Sequence, residues 1–80
     1  MLTLEGLYKI IEEALELEIG TINKGNNDWQ NSWDSLGHLS ILVNLDKELD
    51  GRCSKINDLS SATNLDLLKE ILIKNKLLKD

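Results

Sequence analysis

Trp33-Asp34-Ser35-Leu36-Gly37-His38-Leu39 is the stretch around which the chain is organised. A tryptophan, an acid and a serine stand directly before the apolar-periodic run Leu36, Leu39, Leu42, Val43, the order of a loop ending in a helix start. Ser35 is thereby placed at the mouth of a helix. Unpaired backbone N–H groups and the positive end of the helix dipole there favour a phosphate on or near its hydroxyl. The purely structural alternative is a capping pair, in which one side-chain oxygen accepts from an orphan N–H and stabilises the helix by roughly 1 kcal/mol.

Downstream, the helix is expected from about Ser35 to Asp50, with Gly51 as the left-handed residue beyond its end. Leu36, Leu39, Leu42, Val43, Leu45 and Leu49 make a wide apolar face, which Ile41 extends. Gly37 is costly inside a helix, by roughly 1 kcal/mol against alanine. Either a first turn tolerates it, or the missing side chain lets another group approach the backbone beside Ser35.

Upstream, Leu4, Leu7, Ile11, Ala14 and Leu15 recur at helical spacing with glutamates between them, so residues 3–18 read as an amphipathic helix capped by Thr3 and stopped by Gly20. Residues 20–34, from Gly20 through Gly25, Asn26 and Asn27 to Trp33, are rich in turn formers and form a long loop. Trp29 and Trp33 are its obvious anchors onto the helices. Residues 51–63 are polar and broken, with Ile56 and Leu59 able to support one or two helical turns. From Asn64 the pattern Leu65, Leu68, Ile71, Leu72 gives a last helix whose lysines suit its negative end.

Length and composition set the bounds. Eighty residues with no proline, three aromatic side chains and apolar content dominated by Leu and Ile describe one small all-α domain with a single core. Such a chain has little volume for a deep active site. Its one histidine, one cysteine and scattered carboxylates assemble no nucleophile–base pair or metal-ligand set, which argues against an enzyme. The net charge is −5. Residues 1–20 hold five acids against one lysine and residues 21–50 five against two, whereas residues 51–80 hold six basic residues against four acids. The acidic part around Ser35 disfavours nucleic acid and attracts basic surfaces. A single cysteine, Cys53, allows no internal disulfide and is expected as a small semi-buried hydrophobe. No run reaches the length of a membrane span and no signal-peptide pattern is present, so a cytoplasmic protein is expected.

The heptapeptide 33–39, set a little before the middle of a short acidic chain with helical patterns on both sides, resembles the modification site of the acyl carrier protein family. The resemblance spans nearly the whole chain. It implies a single carrier domain over residues 1–80, folded as a small four-helix bundle with three longer helices, one short helix and a long first loop. It further implies that Ser35 bears 4′-phosphopantetheine, taken from coenzyme A by a phosphopantetheinyl transferase that uses Mg²⁺. Asp34 and Leu36 complete the attachment motif, Asp34 with its charge placed to meet the metal or a basic residue of the transferase. The arm's thiol would hold an acyl or aminoacyl group for a loading ligase and a downstream transferase or synthase, the carrier being a non-catalytic monomer.

The second helix is the family's usual docking face, which singles out Leu36, Val43, Asp46 and Glu48, with Asp34 and Asp50 as further charges. This chain departs from fatty-acid-synthesis carriers where Gly37, Ser40 and Lys47 match positions that commonly hold acids there. The departure points to a stand-alone carrier of a dedicated pathway. Leu39, Leu45, Leu49, Ile56 and Leu59 would line an acyl pocket or simply be core. His38 would touch the arm's phosphate or a partner, or occupy a plain surface position, since it lacks companion metal ligands. Two other readings stay open: a helical adaptor in which Asp34-Ser35 is only a cap, and a carrier homologue that is never modified.

Overall fold

Three side-chain oxygens start three helices. Thr3 Oγ1 accepts from the Gly6 N–H at 3.1 Å, Asp34 Oδ1 from the Gly37 N–H at 2.7 Å, and Asn64 Oδ1 from the Leu67 N–H at 2.9 Å. Each satisfies a donor that the first turn leaves without an intrahelical partner. The elements so opened are α1 (Leu4–Ala14), α2 (Ser35–Glu48) and α3 (Leu65–Lys74). The computed structural model describes residues 2–25 and 28–79. Asn26 and Asn27, read above as turn formers, lie outside the described residues. The fold is all-α, and no helix among the described residues is long and apolar enough to cross a membrane.

The three helices also stop in one way. Glu16, Asp50 and Lys76 take left-handed backbone, with φ of 59°, 55° and 60°. The next N–H then reaches back to the carbonyl five residues earlier, Leu17 to Glu12 at 2.8 Å, Gly51 to Asp46 at 2.8 Å and Leu77 to Leu72 at 2.9 Å. This is the Schellman closure, usually built on glycine. It shortens two expected helices. α1 ends at Ala14 rather than residue 18, with Gly20 standing in the loop beyond, and α2 ends at Glu48, with Asp50 left-handed ahead of Gly51, which is left-handed as expected at φ 82°.

Glu16 combines an L side chain in a disfavoured backbone region with a negative charge at the negative end of α1, and both are relieved by glycine. Glu16→Gly is expected to stabilise the domain by about 1 kcal/mol, net of the unfolded-state entropy that glycine adds. Urea unfolding measures it, and an unchanged or lowered midpoint would count against the strain.

Each helix gives the core a fully buried pair four residues apart, Leu7 and Ile11, Ile41 and Leu45, Leu68 and Leu72, the spacing that stacks two side chains on one helix face. On α2 the buried line is Gly37, Ile41, Leu45 and Leu49, flanked by His38. Leu36, Leu39 and Val43, expected on that face, are 76%, 59% and 46% exposed. α2 carries apolar residues all round, so spacing alone does not choose between its faces.

The connections are pinned rather than loose. The long first loop makes 3₁₀ turns at Ile22–Lys24 and Asp28–Ser32, burying Ile22 and Trp29. The segment between α2 and α3 makes two more at Arg52–Lys55 and Asn57–Ser61, burying Cys53 and Leu59. Glu12 holds the first of these connections. Its side chain is 1% exposed, and Oε2 accepts from the Gly20 N–H at 3.0 Å and the Ile22 N–H at 3.1 Å. α1 packs against α2 in antiparallel fashion, because a side chain on Gly37 would meet Leu15 at 2.5 Å while Thr3 and Gly6 share a cavity with Glu48 and Leu49. Leu2 and Leu78 form an isolated parallel bridge, with Leu2 N–H donating to Leu77 O at 3.1 Å and Lys79 N–H to Leu2 O at 2.8 Å.

Candidate functional site

Ser35 is the first residue of α2 and is exposed. Asp34 is the cap: besides its side-chain bond to Gly37, its carbonyl accepts from the His38 N–H at 2.8 Å. The serine hydroxyl has no hydrogen bond among the described residues, so of the Asp-Ser pair the acid does the capping and the hydroxyl is left to solvent. It opens onto a cavity of about 420 Å³ lined by Trp33, Asp34, His38, Ser60 and Thr63 as well as Ser35 itself.

His38 is buried, which corrects the expected surface position. Its ring is fixed at both nitrogens. The Trp33 indole Nε1–H lies 3.1 Å from His38 Nδ1, and because indole nitrogen only donates, Nδ1 must accept. Nε2 then carries the proton and donates to the Leu59 carbonyl at 2.9 Å. Trp33 also stacks on the imidazole, with centroids 6.1 Å apart and planes at 28°, and meets Trp29 at 6.2 Å. The loop entering Ser35, the first turn of α2 and the turn at Leu59 are thus joined through one ring. The sequence signal was available: His38 stands three residues before Ile41 and seven before Leu45, at helical spacing beside the buried line of α2.

Gly37 is likewise turned inward. A Cβ there would meet Leu15 Cδ2 at 2.5 Å, Asp34 Oδ1 at 3.2 Å and the Ser32 carbonyl at 3.3 Å. The missing side chain therefore makes room for α1 and the cap, not for a group approaching Ser35 from solvent. Within residues 33–39, Trp33, Asp34, Gly37 and His38 are consumed by the fold, while Ser35, Leu36 and Leu39 face outward.

No family model, no curated protein and no solved structure matches the chain.

A second cavity, of about 570 Å³, lies between α2 and the two turns that follow it, and Ser60 lines both it and the cavity at Ser35. Its apolar wall is Leu42, Val43, Ile56 and Leu59, with Asp46 and Cys53 beside them. Of the side chains expected to line a pocket, Ile56 and Leu59 do so, whereas Leu45 and Leu49 are core and Leu39 is exposed. Cys53 is buried and free. Burial, and next the charge of Asp46, push its thiol up from its ordinary range, which keeps it protonated and a poor nucleophile.

The residues expected at a docking face separate into two kinds. Leu36, Val43 and Glu48 are exposed. Asp46 is half-buried, and its Oδ1 accepts from the Ser54 N–H at 3.2 Å, fastening the turn after α2. Among the described residues no three His, Cys, Asp or Glu side chains come together as metal ligands would.

Proposed function

We propose that the chain is a stand-alone carrier domain whose Ser35 holds a 4′-phosphopantetheine arm and whose α2 presents that arm to partner enzymes. The observation that carries the reading is the placement of Ser35 inside W-D-S-L-G-H-L: an exposed hydroxyl without a partner among the described residues, on the first residue of a helix whose cap, glycine and histidine are all used to hold that entrance in place. The site fits such a group. A phosphodiester at Ser35 would lie against the amide-rich start of α2, and Ser60 and Thr63 offer hydroxyls across the adjoining cavity. When bound, the arm supplies a thiol that carries acyl or aminoacyl cargo as a thioester. The chain's own residues orient it and present the surface partners read, which converts delivery into an effectively intramolecular search.

The carrier reading takes the three helices and the turns at Arg52–Lys55 and Asn57–Ser61 as a small carrier-type bundle. The cavity behind Ser60 is sized for a short cargo, with Asp46 the one acid among the described residues that line it. The expected partners are a phosphopantetheinyl transferase, a loading ligase and a downstream transferase or synthase of a dedicated pathway, met in the cytoplasm by a monomer. A second reading, a helical adaptor, draws on one observation: the Asp34 cap alone would account for an acid before a helix. Incubation with coenzyme A, Mg²⁺ and a broad-specificity phosphopantetheinyl transferase separates them by intact mass. The carrier gains one phosphopantetheine, and Ser35→Ala gains none. An unmodified wild type, beside a control carrier that is modified, leaves the adaptor or a carrier homologue that is never loaded.

A further inference from the structure

A docking helix near Ser35 should offer acids beside its exposed apolar residues, yet α2 has few to offer. Ser40 and Lys47 face solvent on it, Asp46 is tied to Ser54, and Glu48 stands in the last turn. The structure supplies acids from elsewhere. Leu39 and Val43 form one side of a groove whose other side is the end of α1, Glu13, Ala14 and Glu16. Glu13 and Glu16 are both exposed, and neither makes an ion pair among the described residues. Because the end of α1 packs at the start of α2, this pair lies at the Ser35 end of the groove. Further along, the exposed Lys9 and Lys47 are offset by the exposed Glu5 and Glu48, so the net negative charge is concentrated toward the Ser35 end.

Resting on the carrier reading of Ser35, we infer that the docking surface is composite: α2 gives its apolar half through Leu36, Leu39 and Val43, and the end of α1 gives its acidic half through Glu13 and Glu16. The occupant is an enzyme surface bearing an apolar side chain flanked by lysine or arginine, with its basic end toward Ser35. Two opposed charges beside a desolvated apolar contact speed encounter and fix register.

The test compares Glu13→Lys/Glu16→Lys with Glu5→Lys/Glu70→Lys, which changes net charge equally at exposed acids outside the groove. With coenzyme A, Mg²⁺ and the broad-specificity transferase, the groove variant should be modified about tenfold more slowly than wild type at low salt, with the gap closing at high salt, and the control less than about twofold more slowly. Circular dichroism checks that both remain folded. Equal slowing in the two variants, or none in the first, overturns the composite surface. If wild type itself takes no arm while a control carrier does, the Ser35 reading fails separately. An amide NMR titration with an amphipathic Leu/Arg peptide then decides: shifts confined to residues 13–16 and 36–44 retain the surface, and shifts centred elsewhere or spread over all acids reject it.

Discussion

Glu12→Ala is expected to lower the stability of the domain by about 3 kcal/mol, since it strands a buried backbone donor at Ile22 and a part-buried one at Gly20, at about 1–3 kcal/mol each. The N–H groups of Gly20 and Ile22 have the Glu12 carboxylate as their acceptor, and the loop that they begin runs to Trp29 and on to Ser35. A chain of 80 residues has a total stability of only about 4–12 kcal/mol, so the loss is a large part of it. Glu12→Gln separates acceptor from charge: its amide oxygen can still receive both bonds while its NH₂ enters a buried site, and a cost of about 1–2 kcal/mol is expected. Urea unfolding of the three proteins checks the order. An alanine variant as stable as wild type would mean that the loop finds other acceptors.

His38→Phe is expected to cost about 2–3 kcal/mol. The ring volume is roughly kept, but the Trp33 indole N–H and the Leu59 carbonyl each lose a partner. Trp33→Phe removes the donor on the other side and leaves His38 Nδ1 bare. Because the two residues share one bond, the double variant should be less destabilised than the sum of the single ones, by about 1 kcal/mol or more. Additivity would show that the pair is stacked but not hydrogen-bonded in solution.

Sequence reasoning succeeded where local chemistry is self-contained. Thr3 is a recognisable cap because the side chain, the donor three residues on and the apolar run all lie within one turn. Ser35 was legible as a helix entrance for the same reason, and Trp29 as a loop anchor because a large apolar ring in a polar stretch has few other places to go.

It failed where the deciding partner is remote or the residue type misleads. Glu16, Asp50 and Lys76 occupy left-handed positions that glycine normally marks, so Gly20 misplaced the end of α1 by four residues, while Gly51, left-handed itself, marked the end of α2 only one residue late. Glu12 sits in a Glu12-Glu13 pair whose members look alike; only the path of the loop after Leu17 decides which is buried. α2 exposes Leu36, Leu39 and Val43 and buries Ile41, Leu45 and Leu49, a choice made by the packing of α1 against Gly37 rather than by periodicity.

The bridge between Leu2 and Leu78 has a practical consequence for experiments on Ser35. α1 and α2 run antiparallel, so this seam lies toward the far end of α2, about 20 Å of helix from its first residue. A sample anchored to a sensor chip or bead through either terminus would therefore turn its serine away from the support and toward the flowing analyte.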